Sequence, residues 1–232
     1  MKTLVIAGAS SMIARETVRA IQSRGEQINI IAYSRQDPQL ADADVSWIPW
    51  DVTEDFPGLP DGIDSIDALF YAPGTINLKP FKSIKPELFQ QDMQVNFFGV
   101  LPLLQAALPL MKNGGGDVLF ISSVAAGTGM AYHASIAAAK SAVEGFVRAM
   151  AAEYASLGIR FNALALSLTD TPLASRLLSS EDKRKAMAER HPLNRVGDPS
   201  QVGAMAAHIL SGEYSWMTGE VINLDGGIGN LR

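Results

Sequence analysis

Cysteine is absent from the 232 residues, so no disulfide framework, thiolate metal site or thiol nucleophile can exist, and a reducing compartment suits the chain. An excess of positive charge is lacking as well. The formal net charge is -5, which gives no field to gather nucleic acid or an anionic membrane surface, and this favours small-molecule chemistry. Long hydrophobic runs are missing: no apolar stretch approaches a membrane span, and the opening MKTLVIAGAS looks like a signal peptide for only five residues before Gly8. There is no internal repeat and no low-complexity linker. These absences predict a cytoplasmic protein, one domain over residues 1–232, with a small-molecule substrate and neither nucleic acid nor membrane as partner.

Short apolar runs alternate with longer amphipathic ones. TLVIA (3–7), INIIAY (28–33), VSWI (45–48), ALFYA (68–72), DVLFIS (117–122), IRFNALAL (159–166) and EVINLD (220–225) read as strands. Helices are expected over 12–24, 87–112, 132–157, 172–190 and 199–211, punctuated by Pro109, Gly114, Gly158 and Pro199. Continuously apolar strands separated by helices imply a parallel sheet covered on both faces, the doubly wound α/β class. The longest irregular pieces, 51–65 and 73–86, are expected at the edges of the sheet.

The first strand runs into Gly8-Ala-Ser-Ser-Met-Ile-Ala14 and then a helix, where such a fold holds a pyrophosphate on backbone N–H groups and the helix N-terminus. Met12 and Ala14 stand where second and third glycines are expected, so an ordinary strand-to-helix turn is an equal alternative. Arg35, after the second strand, can pair with a ribose 2′-phosphate, whereas an acidic residue there would point to NAD. A solvated surface charge is the competing reading. Asp51, after the third strand, can accept from an adenine amino group or cap the next turn.

The glycine loop, WDVT at 50–53, VNFFG at 95–99, ISS at 121–123, Lys140, NALALSLTDTP at 162–172, RVGDPSQV at 195–202 and TGEVINLDGG at 218–227 follow one another in a familiar order. In them the chain resembles the short-chain dehydrogenase/reductase family from end to end. The resemblance implies a single-domain Rossmann-type sheet of about seven strands and hydride transfer between a nicotinamide cofactor and a small carbonyl or alcohol. With Arg35 after the second strand, NADP(H) is the preferred cofactor, with NAD(H) possible. The dinucleotide is then expected against Gly8, Ser10, Ser11, Met12 and Ile13, then Ser34, Arg35, Asp51 and Val52, and further against Ala72, Gly74, Lys140, Thr169 and Thr171. By the same resemblance Asn96 holds a helix kink and a water beside the lysine, Ser123 bonds the substrate carbonyl, and Lys140 grips the nicotinamide ribose. Thr171 contacts the carboxamide, and a lid spans Pro172 to about His191. The family also pairs the Ala-rich helix 137–155 across a two-fold axis, implying a homotetramer or dimer, although intrachain packing explains the alanines as well.

The chain departs from the family pattern at Met12 and Ala14, at YAPG (71–74), at Leu166-Ser167 in place of Pro-Gly, and at Ile136. The last falls thirteen residues after Ser123 and four before Lys140, where the family carries its active-site tyrosine. Isoleucine has no proton to give, and a positioned acid contributes about 10² to 10⁴ in rate. Two substitutes lie nearby. If the helix begins early enough, Tyr132 stands one turn before Ile136 on the same face, about 6 Å away. His133 lies seven residues before Lys140, the spacing of the enoyl-thioester reductase branch, and imidazole titrates near neutrality. The competing reading makes both loop residues with solvated polar tips. Two further functions stay open: reduction of an activated C=C bond, where a phenol matters less, and a nucleotide-binding sensor or assembly subunit without catalysis. His191 and His208 are expected to be structural, and Asp170 a turn or cap residue.

Overall fold

Residues 2–40, 44–111 and 115–231 are described by the computed structural model; Gly114 and the end of the predicted 87–112 helix lie outside them. Seven strands, β1 (Lys2–Ala7), β2 (Ile28–Ser34), β3 (Asp44–Pro49), β4 (Ala68–Tyr71), β5 (Gly116–Ser123), β6 (Ile159–Leu166) and β7 (Val221–Leu224), pair in parallel in the order β3-β2-β1-β4-β5-β6-β7. The helices are α1 (Met12–Ser23), α2 (Pro86–Met93), α3 (Val100–Ala107), α4 (Ala134–Tyr154), α5 (Glu181–Ala188) and α6 (Pro199–Leu210).

Alternation along β1 shows why the strands read as unbroken apolar runs. Val5 and Ala7 join a core with Leu103, Leu104, Val143 and Val147 from α3 and α4, while Leu4 and Ile6 join another with Val18, Ile21, Val202 and Ala206 from α1 and α6. Both faces are therefore dry, and each fully buried aliphatic side chain contributes about 1.5–3 kcal/mol. The chain leaves β1 toward β2 on one side, and β4 lies on the other. A crevice consequently opens outside the carboxyl ends of β1 and β4, the position such folds use for ligands.

Several sequence expectations are corrected. The predicted 172–190 helix is a three-residue 3-10 turn (Pro172–Ala174) and the separate α5, because Ser180 caps a new start by accepting from Lys183 N at 3.3 Å. The helix predicted from 132 starts at Ala134, since Tyr132 takes a left-handed backbone (φ 70°) that a helix cannot continue. Segment 73–86 leaves β4, the central strand, and so borders the crevice rather than an edge of the sheet. The expectation that no stretch approaches a membrane span also fails on length and composition. Pro86–Leu110 is one helical run of 25 residues, within which an 18-residue stretch reaches a mean hydropathy of 1.4. In this fold it lies along the sheet, with Val100, Leu103, Leu104 and Ala107 buried in the core.

Candidate active site

The cofactor end is built from backbone. Gly8 has φ +72°, and a Cβ there would meet Pro73 N at 2.9 Å, so only glycine lets this turn pass so close to the β4 loop. Ser11 is the N-cap of α1 and accepts from Ala14 N at 3.2 Å. Met12 and Ile13 open the helix, and the first turn of a helix leaves its N–H groups without intrahelical partners. Ala14 is fully buried, so a methyl group fits where a glycine was expected. The Gly8 turn and the N–H groups that open α1 together fit a dinucleotide pyrophosphate.

Further along this edge, Ser34 Oγ donates to Gln36 O at 2.6 Å, which shapes the turn that presents Arg35. The Arg35 side chain is 77% exposed, and its nearest anion is Asp51 at 3.9 Å. Asp51 Oδ1 accepts from Thr53 N (3.0 Å) and Thr53 Oγ1 (2.8 Å), so it caps its turn while its other oxygen faces Arg35. Partial burial opposes ionisation of Asp51, but the Thr53 hydrogen bonds and Arg35 outweigh it and hold the carboxyl below its ordinary range. Val52 is buried, and Ala72 N donates to Ala7 O at 3.1 Å, which extends the β1–β4 ladder to the lip of the crevice.

The other end is built from side chains. Helix α2 passes into a five-residue π segment (Gln94–Phe98) in which Gly99 N donates to Gln94 O, and this bulge carries Asn96. Asn96 is buried. Its Nδ2 donates to Asp92 O (2.8 Å) and Thr75 Oγ1 (2.9 Å), while its Oδ1 has no partner among the described residues. Lys140, on α4, is buried and donates from Nζ to Ile121 O at 2.7 Å. A Cβ on Gly74 would stand 3.5 Å from Asn96 Oδ1 and 3.9 Å from Lys140 Nζ, so all three border one space. Burial pulls the Lys140 ammonium down to about 7, against the opposing pull of Asp92. Ser123 ends β5, and its Oγ accepts from Ala125 N at 3.2 Å, which leaves the hydroxyl hydrogen to donate.

Ile136 is buried one turn before Lys140 and presents an apolar side chain there. The helical placement of Tyr132 is overturned: it lies outside α4, is 59% exposed, and its carbonyl accepts from Lys79 N. His133 is the N-cap residue, and its Nδ1 donates to Ala131 O at 2.7 Å, turning the ring back on its own loop. The phenol of Tyr71 is occupied too, donating to Val95 O at 2.7 Å, and burial drives its pKa far up. Sequence reading missed Asp92, Thr75 and Asn77. Asp92 is fully buried, with Oδ1 accepting from Thr75 Oγ1 (2.6 Å) and Asn77 Nδ2 (2.8 Å) and Oδ2 left without a partner. Its signal was a carboxylate four residues before Asn96 in a helical run, hence on one face.

The segment from Pro172 to His191, where the resemblance puts a lid, is tied down at several points. Asp170 pairs with Arg184 of α5 at 2.5 Å rather than capping a helix. Ser167 Oγ and Nε2 of the buried His191 share a hydrogen bond of 2.7 Å, and His191 Nδ1 donates to Met187 O at 2.9 Å. The pair lines a cleft of about 100 Å³. Thr169 is buried with its hydroxyl donating to Ser167 O at 3.1 Å, whereas Thr171 precedes the Pro172–Ala174 turn with no capping bond from its side chain. His208 sits apart from the site, hydrogen-bonded to Glu213 and Arg24.

Residues 8–229 match a family model described as Enoyl-(Acyl carrier protein) reductase. A tropinone reductase homolog of Arabidopsis thaliana is 36% identical over 156 residues, 67% of this chain and 60% of the relative, so the match spans well under two thirds of that protein. The cis-4-hydroxycyclohexanecarboxylate dehydrogenase of Sinomonas cyclohexanicum is 30% identical over 97% of this chain and 96% of its own. Among solved structures, the ligand-free aldohexose dehydrogenase of Thermoplasma acidophilum superposes with a TM-score of 0.83 at 28% identity, covering 98% of this chain and 93% of that one.

Proposed function

The chain belongs to the short-chain dehydrogenase/reductase family of oxidoreductases, and from that premise we propose that it is an NADP(H)-dependent reductase of a small carbonyl compound that works without the family's phenol. One observation carries the reading. Lys140 Nζ, Asn96 Oδ1 and the open face of Gly74 meet in one space at the crevice beyond β4, with the Ser123 hydroxyl at the end of the neighbouring β5 and Ile136 one helical turn away.

A bound nicotinamide supplies the hydride. The protein's part is to hold and polarise. The Gly8 turn and the first turn of α1 bind the pyrophosphate, and Arg35 meets the 2′-phosphate. Lys140 orients the ribose, Ser123 donates to the substrate oxygen, and buried hydrogen-bond donors fixed in advance stabilise charge on that oxygen. Arg35 supports NADP(H) because it is exposed and held only loosely by Asp51, so its guanidinium is available to a phosphate. Reduction of an activated C=C bond is the second reading, favoured by the description of the matching family model and by the absent phenol. Both readings place the enzyme in the cytoplasm as a homo-oligomer paired through α4, whose exposed stripe includes Ala138, Ser141, Gly145 and Ala149.

The test mixes pure protein with NADPH and a panel of ketones and enoyl thioesters and follows the absorbance of reduced nicotinamide. Turnover of ketones is expected. Turnover of enoyl thioesters alone selects the second reading, and no turnover above background rejects both.

A further inference from the structure

We propose that Asp92, a residue outside the family's catalytic set, holds Lys140 as the ammonium that supplies the proton in place of a phenol. The inference rests on the reductase reading given above. Asp92 has no contact with solvent, yet one of its oxygens has no hydrogen-bond partner among the described residues. Such a carboxylate is costly unless a positive charge compensates it. Lys140 is the buried cation of this region, and Asp92 is the charge that acts on it.

A chain of polar atoms also runs from Asp92 toward Lys140. Asp92 Oδ1 accepts from Thr75 Oγ1, Thr75 Oγ1 accepts from Asn96 Nδ2, and Asn96 Oδ1 opens onto the space shared with Lys140 Nζ. Helices α2 and α4 pack side by side, and the network that starts at Asp92 ends on the space that Lys140 borders. The remaining titratable groups on the elements around Lys140 are otherwise engaged. Glu144, one turn further along α4, accepts from Ser122 Oγ and faces Arg148. Tyr71 on β4 donates to Val95 O, Lys79 and Glu87 are exposed, and Arg160 on β6 pairs with Asp117 at the opposite end of the sheet.

The chemistry balances. As hydride reaches the carbonyl carbon, the C=O π bond becomes a lone pair on oxygen. The Nζ–H bond of Lys140 breaks as the new O–H bond forms. Lysine is left as the neutral amine, the form its dry surroundings favour, and it takes its proton back from water when product leaves. Burial alone would strip the proton beforehand, and Asp92 counters that loss. Asp92 is therefore a positioning residue, and Lys140 is the acid.

The experiment titrates the intact protein by NMR of ¹³Cε-labelled lysine, with the Lys140 signal identified by its loss in Lys140→Arg. In the unaltered protein the Lys140 midpoint should lie at or above neutrality; a midpoint well below neutrality, which leaves the resting amine without its proton, overturns the inference without any Asp92 variant. In Asp92→Asn the midpoint should fall by about one pH unit or more, and an unchanged midpoint overturns the inference even if turnover is intact. A merely structural Asp92 is distinguished kinetically. Asp92→Asn should lower kcat about tenfold or more at neutral pH, and its activity should recover toward lower pH. Once Ile136→Tyr restores a phenol, adding Asp92→Asn should change kcat by less than about threefold. An equal loss in both backgrounds sinks the proposal. If no background turns over any carbonyl, the reductase reading fails and the donor role goes with it, an outcome separate from an unshifted midpoint.

Discussion

The two ends of the crevice are made of different material. The cofactor end, around Gly8, Met12 and Arg35, relies on where the backbone passes, and its one committed cation stands in solvent. The chemical end, around Asn96, Asp92 and Lys140, relies on particular side chains that are almost wholly withdrawn from water. A site made of backbone tolerates changes of side chain, so Met12 and Ala14 can replace glycines without closing the cradle. A site made of buried polar groups is coupled, so the change at Ile136 is felt by every group that shares its space.

That contrast breaks most directly at Lys140. Lys140→Ala should lower turnover about a hundredfold or more, measured by oxidation of reduced nicotinamide; a loss below tenfold would mean that the buried end is not the chemical one. Next comes the pH dependence of stability. The folded-state pKa of Lys140 is depressed to about 7 from the ordinary lysine value of 10.5, so between those limits the unfolded chain binds the extra proton. Stability should then rise with pH across that window, at up to about 1.4 kcal/mol per pH unit, and be lowest on this account below pH 7. Urea unfolding should show the rise in the native protein and not in Lys140→Met. Smaller is the effect at the backbone end, where Gly8→Ala should destabilise by about 1–3 kcal/mol through the left-handed φ and the clash with Pro73, read as a lowered Tm. Smallest is Arg35→Ala, which should weaken NADPH about tenfold in a fluorescence titration and leave NADH unchanged, because an exposed charge-assisted contact contributes about 1.5 kcal/mol.

Much of the fold was legible because the signal was dense. Seven apolar runs matched seven strands within about two residues at each end; the inner strands β1, β2, β4, β5 and β6 are buried on both faces and admit almost no polar side chain, whereas the edge strands β3 and β7 are more exposed. Helix bounds were less legible. Ser179-Ser180 read as part of a helix but starts a new one, and Tyr132 read as helical although its backbone turns left-handed. The site was legible where a residue sits at a strand end or in a landmark, as with Gly8, Ser123, Asn96 and Lys140. It was illegible where chemistry depends on who stands beside whom: Thr75 and Asp92 lie 17 residues apart, and Ser167 and His191 lie 24 apart. Spacing along a chain carries no record of contacts made by the folding back of a loop.

By itself the sequence determined the parallel, doubly wound sheet, the glycine turn at its front edge and the lack of a phenol at position 136, because periodicity, steric freedom and side-chain chemistry are properties of local residues. Only the tertiary structure decided that Tyr132 faces solvent, that 73–86 borders the crevice, and that a fully buried Asp92 is tied through Thr75 to Asn96, whose Oδ1 opens on the space beside Lys140. The reason is dielectric. The meaning of a carboxylate or an amine depends on how much water it has lost and which charge remains within reach, and folding alone sets both.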